Sequence, residues 1–483
     1  MYIRDLLGSI DHASFAGHAD TRIAGVRSDS RQVRTGDLFV AVSGSDLDAS
    51  RFVPDAVARG ASAVICTELA AVPGGVAAIL VKDTRKAAWQ AARAFHGFPE
   101  SALKAVGVTG TNGKTTSAFV SASVLNAAGM PCGMLGTVEY LVGGQKTRSK
   151  LTTPGPVELY ELLARMRDAG DKWVIMEVSS HALDQERMGG IEYDGAIFTN
   201  LTRDHLDYHK TMENYAVAKA KLFSRLKPDG VAAVNFSDPH GEYMAGKVRG
   251  RVIPFGLGLK GPVQLDDVRL GPDDTDVMMM YGGRRLKIRS RLVGRFNAFN
   301  ILGVASLAWG LGVKPEELKA GIENMPPVPG RLERVAPIRP RVYVDYAHTD
   351  DALANALKAL AELPHQRLIV VFGCGGDRDR GKRPLMGRAA VDGADRVYVT
   401  SDNPRSEDPD AIIAEIVAGI PPDASISVEP DREKAIAAAI AEAGEEDIVL
   451  VAGKGHEDYQ ILSGETIHFD DREVAREALR KRS

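Results

Sequence analysis

A glycine-rich turn between an apolar strand and a helix constrains the fold of this chain most strongly. The segment GVTGTNGKTT at 107–116 begins within the apolar run AVGVT and leads into a helical pattern. Gly110 and Gly113 allow backbone N–H groups to approach phosphate oxygens, and the N-terminus of the helix adds partial positive charge. Lys114 is placed to reach terminal phosphates, and the Thr115 hydroxyl to bind Mg²⁺. The segment therefore predicts a phosphate-binding loop.

The glycine spacing of this loop differs from the strict pattern GxxxxGK[ST]. That pattern requires glycine where this chain has Val108, and the glycines stand at 107, 110 and 113 instead. The alternative is a glycine-rich turn that binds no nucleotide. Strand, turn, Lys-Thr pair and helix coincide here, and for that reason we favour nucleotide binding.

Polar side chains follow two further apolar strands. Glu177 lies at the end of WVIMEV, and Asp204 and His205 follow AIFTNL. Ligands of open α/β sheets gather at the carboxyl ends of parallel strands, where the phosphate loop also lies. A lone histidine is more often structural, but a histidine and a glutamate at two strand ends of such a sheet predict Mg²⁺ ligands.

The length and the alternation of strand and helix patterns predict three α/β domains. A chain of 483 residues is long enough for about three domains. We expect an N-terminal α/β domain over 1–98, a central P-loop domain with a parallel sheet over 99–328, and a doubly wound, Rossmann-like domain over 329–483. Residues from about 251 to 293 are rich in strand formers around Gly282-Gly283, which predicts a small antiparallel flap on the central domain.

Composition excludes several other classes of protein. The formal net charge is −4 and no Lys/Arg-dense stripe occurs, so we expect no nucleic-acid partner. Cys66, Cys132 and Cys374 are scattered and lack CxxC spacing, which argues against a disulfide framework or a structural zinc site. No signal peptide and no apolar run of about 18 residues is found, so we expect no membrane span and a cytoplasmic enzyme.

A set of motifs makes the chain similar to a known family. In chain order, from about Ser28 to Tyr459, they are GTNGKTT, EVSSHAL, FTNLTRDHLDYH, GRFNAFN, GRLE, VDYAHT, FGCGGDRDRGKRPLMG, SDNPR and AGKGHEDYQ. In this order they resemble the Mur ligase family, which builds the peptidoglycan precursor of the bacterial cell wall. They are most similar to the members that add the third peptide residue.

The resemblance implies an activity and its substrates. ATP would activate the D-glutamate carboxylate of UDP-N-acetylmuramoyl-L-alanyl-D-glutamate (UDP-MurNAc-L-Ala-D-Glu) as an acyl phosphate. The amine of meso-2,6-diaminopimelate would then attack, with release of phosphate and formation of an amide bond. Because two anions must meet in the first step, cations are needed, and the resemblance implies Lys114 and two Mg²⁺ ions. We expect the enzyme to be a monomer.

The resemblance also implies binding residues, carried over position by position. For ATP they are Gly110, Thr111, Asn112, Gly113, Lys114, Thr115, Thr116, Asn300, Arg331, Asp345, Tyr346 and His348. For the UDP-muramoyl dipeptide they are Ser28, Ser30, Ser45, Asp46, Leu47, Thr152, Thr153, Ser179, Gln185 and Arg187. For diaminopimelate they are Arg378, Asp402, Asn403, Pro404, Arg405, Gly453 and Glu457.

Catalytic roles are implied for Lys114, Glu177, His205 and Lys219. Thr115 and Glu177 would hold the first Mg²⁺, and His205 the second. Lys219 matches a family lysine that carries a CO₂-derived carbamate (N6-carboxylysine), which would help to hold the second ion. Without the resemblance, Lys219 would be read as a solvated lysine on a helix face, and Lys221 would be an equal candidate.

The far carboxylate of diaminopimelate distinguishes it from lysine. Arginine offers a planar fork that fits a carboxylate, and Arg405 follows the strand RVYVT at the ligand-binding edge of its sheet. Two positions depart from the family pattern: Leu151 stands where some relatives have an Asn before the Thr pair, and Asp350 stands where many have a Pro. The alternatives are a ligase that adds lysine, one that adds glutamate to folate, or a P-loop NTPase switch without ligase activity.

Overall fold

The computed structural model describes residues 1–42, 49–69 and 72–482, and in these residues the strands form five sheets. The predicted Ser45, Asp46 and Leu47 lie outside the described residues. Short 3₁₀ helices cover Ser30–Gln32, Ala49–Phe52 and Pro99–Ala102. Among the described residues, no helix is both long and apolar enough to cross a membrane.

The N-terminal sheet has the order β1-β5-β4-β3-β2, parallel except for β1, which runs antiparallel to β5. Its elements are α1 Ile3–Leu7, β1 His12–Ala16, β2 Val26–Arg27, β3 Leu38–Val40, α2 Val53–Ala58, β4 Ala63–Cys66, β5 Ala77–Val81 and α3 Thr84–Phe95. The Asp83 carboxylate caps α3 by accepting hydrogen bonds from the backbone N–H groups of Arg85 and Lys86.

The central sheet has the order β13-β12-β11-β6-β10-β7-β8-β9, with six parallel strands and an antiparallel pair, β8 and β9, at one edge. Its strands are β6 Lys104–Thr109, β7 Cys132–Leu135, β8 Glu139–Val142, β9 Gln145–Arg148, β10 Trp173–Glu177, β11 Tyr193–Phe198, β12 Leu226–Asn235 and β13 Arg251–Phe255. Its helices are α4 Lys114–Ala127, α5 Pro156–Ala169, α6 Ser180–Asp184, α7 Leu206–His209, α8 Met212–Ser224, α9 Gly241–Ala245, α10 Arg295–Gly310 and α11 Pro315–Glu323. The central residues of the parallel strands are mostly apolar and buried, as expected for a sheet with helices on both faces.

The predicted antiparallel flap is present but begins later than expected. It consists of β14 Val263–Leu270, β15 Thr275–Tyr281 and β16 Arg284–Ser290, with the turn at Gly282-Gly283 as predicted. The prediction was wrong for β13, which pairs in parallel with β12 at the edge of the central sheet. Ile253 and Phe255 are buried in the central core, and this burial places the segment in the larger sheet.

The third sheet is doubly wound, with the order β17-β18-β22-β19-β20-β21, and is parallel apart from β17. Its elements, with the hairpin β23–β24, are β17 Glu333–Arg334, β18 Arg341–Asp345, α12 Asp350–Ala361, β19 Leu368–Phe372, α13 Lys382–Gly393, β20 Arg396–Val399, α14 Pro409–Val417, β21 Ile426–Val428, α15 Arg432–Glu442, β22 Ile448–Ala452, β23 Tyr459–Leu462, β24 Glu465–His468 and α16 Asp471–Arg482. The predicted α/β fold class is confirmed. Because β6, β10 and β11 end beside the loops after β18, β20 and β22, polar side chains of the two sheets converge on one cleft.

Candidate active site

The phosphate loop connects β6 to α4, as predicted. Gly110 and Gly113 have positive φ angles of 154° and 84°. A Cβ would lie 1.8 Å from Thr199 Oγ1 at the first position and 2.3 Å from Asn300 Oδ1 at the second, so only glycine fits. The loop is held in shape by Asn200, which accepts hydrogen bonds from the N–H groups of residues 111 and 112.

Lys114 lies against the backbone of this loop. Its Nζ donates to Gly110 O at 2.9 Å and to Thr111 O at 2.8 Å. Burial lowers the pKa of Lys114, while Glu177 and Asp204 act in the opposite direction. The first turn of α4 therefore holds an amine at the place where a phosphate-binding loop needs a cation.

Glu177, at the end of β10, is surrounded by hydroxyl groups. Its side chain is 1% exposed and accepts hydrogen bonds from Thr115 Oγ1 at 2.9 Å, Thr137 N at 2.7 Å and Thr137 Oγ1 at 3.0 Å. Arg331 Nη2 also donates to Thr115 Oγ1, at 3.0 Å. The carboxylate and the two hydroxyls form a set of hard oxygen donors, which fits Mg²⁺.

His205 lies across the cleft at the start of α7, with a left-handed φ of 54°. Burial lowers its pKa to about 4, so the imidazole is neutral near pH 7 and able to act as a ligand. Asp204 Oδ2 lies 3.3 Å from His205 Nε2, and Asp204 Oδ1 accepts a hydrogen bond from Lys382 Nζ at 3.0 Å. Burial opposes ionisation of Asp204, but His205 and Lys382 hold its pKa at about 2.

Lys219 on α8 is not on the surface. Its side chain is 1% exposed, and Nζ donates to Gly110 O at 2.7 Å, the same carbonyl that Lys114 contacts. Burial and the neighbouring charge of Lys114 hold the pKa of Lys219 well below its usual range. Lys221, the other candidate on this helix, instead forms an ion pair with Asp184 at 2.8 Å and is partly exposed.

The described residues contain no cluster of three or more His, Cys, Asp or Glu side chains suited to a metal ion. The predicted ligands Thr115, Glu177, His205 and Lys219 nevertheless line one cavity. A lysine amine is a poor Mg²⁺ ligand, because this ion prefers oxygen. The Glu177 side fits Mg²⁺ as it stands, whereas the Lys219 side would fit only after the amine had gained oxygen atoms.

The residues predicted to border the nucleotide lie around the same cavity, which has a volume of about 550 Å³. With Thr111–Thr116 of the loop, its lining includes Asn300, Arg331, Asp345, Tyr346 and His348. The Arg331 guanidinium lies 4.8 Å from the centroid of the Tyr346 ring, and His348 Nδ1 lies 2.8 Å from Tyr346 O.

A second cavity, of about 1420 Å³, is lined by four of the residues predicted to bind the UDP-muramoyl dipeptide. Thr152, Thr153, Ser179 and Arg187 line it, and Gln185 Oε1 accepts two hydrogen bonds from Arg187, at 2.9 Å and 2.7 Å. Ser28 and Ser30, on the N-terminal unit, are not among the described residues that line either cavity.

The second cavity is also lined by Arg378, Asp402, Asn403, Arg405, Gly453 and Glu457 of the predicted amino-acid pocket, whereas Pro404 is not among the described residues that line it. Asn403 Nδ2 donates to Glu457 Oε2 at 2.9 Å. Arg405 Nη1 donates to Gly376 O at 2.8 Å, and a Cβ on Gly376 would lie 1.9 Å from Pro404 O. The loops after β19, β20 and β22 thus form one pocket from residues far apart in sequence.

The sequence interpretation missed several polar residues of the cleft. Asp351 Oδ2 accepts hydrogen bonds from Asn112 Nδ2 and Thr202 Oγ1, both at 2.9 Å, and so joins α12 to the phosphate loop. Thr137 and Lys382 are the partners of Glu177 and Asp204 described above. The one available signal for Thr137 was its position just after a buried strand of the same sheet.

Comparison with known proteins gives consistent matches along the chain. Residues 22–109 match the model described as "Mur ligase family, catalytic domain", residues 108–308 "Mur ligase middle domain", and residues 330–455 "Mur ligase, glutamate ligase domain". The chain is 42% identical to the UDP-N-acetylmuramoyl-L-alanyl-D-glutamate--2,6-diaminopimelate ligase of Geobacter metallireducens, over 100% of this chain and 99% of the relative. It is 45% identical to the enzyme of the same name from Gloeobacter violaceus, over 96% and 95%.

A solved structure of a ligase with that name is 32% identical in sequence to the chain, with a TM-score of 0.68 over 100% of this chain and 99% of the other.

Proposed function

The chain belongs to the Mur ligase family, and we propose that it is an ATP-dependent ligase that adds meso-2,6-diaminopimelate to UDP-MurNAc-L-Ala-D-Glu. One observation carries the proposal. The nucleotide cavity and the cavity that leads to the amino-acid pocket share the lining residues Thr137, Thr152, Ser179, His205, Tyr346 and His348. A carboxylate activated at the phosphate loop and an incoming amine can therefore meet between them.

The first chemical step joins two anions, so the site must neutralise charge. A substrate carboxylate oxygen attacks the γ-phosphorus of ATP, and the bond between that phosphorus and the oxygen bridging to the β-phosphate breaks. ADP is released, and the substrate carboxylate becomes an acyl phosphate. Lys114 and Arg331 place positive charge beside the phosphate loop. Positioning and charge neutralisation of this kind provide most of the catalysis in phosphoryl transfer.

Glu177, Thr115 and Thr137 would hold one Mg²⁺ through their oxygen atoms. Bound there, Mg²⁺ would offset the negative charge of the β- and γ-phosphates. The hydrogen bonds from Thr115 and Thr137 to Glu177 keep these three side chains oriented before substrate binds.

Lys219 is suited to become a carbamate. Its amine is buried and has a lowered pKa, so a neutral nitrogen can attack CO₂, forming an N–C bond and releasing one proton. The product carries a negative charge and two oxygen atoms. Together with His205, those oxygens would form a ligand set for a second Mg²⁺.

In the second step the amine of diaminopimelate attacks the acyl carbon, and phosphate leaves from the tetrahedral intermediate. We assign the far end of the amino acid to the pocket after β20: Arg405, Arg378 and the Asn403 amide for the carboxylate, and Asp402 and Glu457 for the ammonium, with Gly453 in the wall and Pro404 beside Gly376. Arginine is suited to this task because its guanidinium can pair with both carboxylate oxygens.

The rest of the UDP substrate would extend from the second cavity towards the N-terminal unit. We assign the muramoyl dipeptide to Thr152, Thr153, Ser179 and Arg187, with Gln185 orienting Arg187, and the uridine end to Ser28 and Ser30.

We also propose domains at 1–98, 99–328 and 329–483, a monomeric enzyme, and a cytoplasmic location. In the cytoplasm the free, buried Cys66, Cys132 and Cys374 would stay reduced.

An assay with defined substrates tests the proposal. The protein is incubated with ATP, Mg²⁺, the UDP-muramoyl dipeptide and either diaminopimelate or lysine, and the product is identified by mass. We expect the diaminopimelate tripeptide, with equal amounts of ADP and phosphate. ATP hydrolysis without a tripeptide would favour an NTPase switch, and equal use of lysine would favour a lysine-adding ligase.

A further inference from the structure

A fully buried lysine lies beneath the pocket that we assign to diaminopimelate. Lys454 follows β22, and its side chain is 0% exposed. Its Nζ lies 3.3 Å from Asn403 Oδ1, 3.4 Å from Glu457 Oε2 and 5.3 Å from the centroid of the Tyr459 ring. Lysine is almost never fully buried without a partner, so these contacts stabilise the ammonium at this position.

The backbone around Lys454 directs its side chain inward. Gly453 and Gly455 on either side have positive φ angles of 119° and 56°. A Cβ would lie 2.5 Å from Asp402 Oδ2 at the first position and 2.6 Å from Tyr346 Cβ at the second. Only glycine fits both positions, and the two turns place the intervening lysine below the pocket rather than in solvent.

We propose that Lys454 is a positioning residue that holds the Glu457 carboxylate, directly and through Asn403, towards the ammonium of the incoming amino acid; this inference rests on the proposed function. Asn403 Oδ1 receives hydrogen bonds from Lys454 Nζ and from the N–H of Ile461, the latter at 3.0 Å. Its Nδ2 is therefore directed at Glu457 Oε2, 2.9 Å away. Lys454 thus fixes the orientation of the Asn403 amide, and its positive charge favours the ionised form of the neighbouring Glu457 carboxylate.

The charge of Lys454 matters because other groups oppose ionisation of Glu457. Burial and the nearby Asp402 carboxylate raise the pKa of Glu457, whereas Lys454 and the hydrogen bond from Asn403 act to lower it. The charged and titratable side chains that act on Glu457 are Asp402, Lys454, Arg432, Tyr346 and Tyr459. Without the Lys454 charge, Glu457 would take up a proton at higher pH and lose its attraction for the substrate ammonium.

Substitution of Lys454 by methionine removes the charge and keeps a long apolar side chain. We expect Lys454→Met to raise the KM for diaminopimelate roughly 10- to 100-fold, with the KM values for ATP and the UDP substrate unchanged. Because the ionised Glu457 binds the substrate, kcat/KM for diaminopimelate falls as the pH drops through the pKa of Glu457. This acid limb should move to higher pH in Lys454→Met. Lys434→Met, at a position 71% exposed on α15, is the matched control and should leave both measurements unchanged.

Two further variants separate positioning from structural support. Lys454→Arg keeps the charge and should hold the acid limb near its wild-type pH. The Glu457→Gln variant has no carboxyl at this position, so the acid limb of the pH profile should disappear. Adding Lys454→Met to this variant should no longer move the pH profile.

The proposal is refuted if folded Lys454→Met has the wild-type KM for diaminopimelate and the wild-type acid limb of the pH profile. It is also refuted if the variant raises the KM values of all three substrates equally and leaves the acid limb at its wild-type pH. Lys454→Gln is a second neutral variant, and if neither neutral variant folds, Lys454 serves the fold and the positioning role is refuted. A wild-type enzyme that does not use diaminopimelate would instead refute the proposed function itself.

Discussion

Replacement of Arg405 by alanine tests the assignment of the amino-acid pocket. The side chain is oriented before any substrate binds, because Nη1 donates to Gly376 O at 2.8 Å and to Asn403 O at 3.4 Å. The backbone is held as well, through a hydrogen bond from Arg405 N to Ile461 O at 3.2 Å. Within the part of the chain that the structure describes, Nη1 makes all the hydrogen bonds of this guanidinium, so the Nε–Nη2 edge can pair with a carboxylate.

The size of the effect follows from that contact. A hydrogen bond to a charged group contributes about 1.5–3 kcal/mol, which corresponds to roughly 10- to 100-fold in affinity. Arg405→Ala should therefore raise the apparent KM for diaminopimelate by that factor, measured as phosphate release at saturating ATP and UDP substrate. Residual activity with lysine should change far less, because lysine lacks the second carboxylate.

A surface arginine of the same unit provides the control. Arg388 on α13 is 58% exposed and pairs with Asp392 one helical turn away, so Arg388→Ala should behave like the wild type. The reasoning is refuted if Arg405→Ala raises the apparent KM for diaminopimelate and for lysine by the same factor. It is also refuted if the wild-type enzyme uses both amino acids alike, and the lysine-adding alternative would then be preferred.

Other parts of the site lead to three further predictions. Lys114→Ala should abolish phosphate release and leave the circular dichroism spectrum unchanged, because the phosphate loop would lose its cation; a folded variant with most of the wild-type rate would exclude that role. Addition of ¹³C-bicarbonate should give a carbamate NMR signal that Lys219→Ala lacks, and a signal from both proteins would assign the carbamate elsewhere. The radius of gyration should decrease when an ATP analogue and the UDP substrate bind together, since reacting atoms must come within about 3–3.5 Å. Linkers near Pro99 and at Pro326–Pro329 are the candidate hinges, and an unchanged radius would contradict closure.

Most strands and helices could be predicted because their signals are local. The strand, glycine turn and helix around Lys114 are encoded in consecutive residues, and so is the turn at Gly282-Gly283 of the flap. β13 was placed in the wrong sheet because a short run of strand formers does not indicate its partner. That choice depends on burial of Phe255 against α10, which begins 40 residues later, at Arg295.

By itself, the sequence determined the strand, turn and helix of the phosphate loop and the Asp402–Arg405 segment, since each is carried by neighbouring residues. The order of the motifs along the chain pointed to the family. Apart from the family resemblance, only the tertiary structure distinguished Lys219 from Lys221, which lie two positions apart on one helix. One amine is buried under the phosphate loop and the other pairs with Asp184 near the surface. The contacts of Asp351 and Lys382 with the central sheet likewise have no local signature. Burial and the approach of Lys114 lower the pKa of Lys219, and both arise only when separate segments pack together.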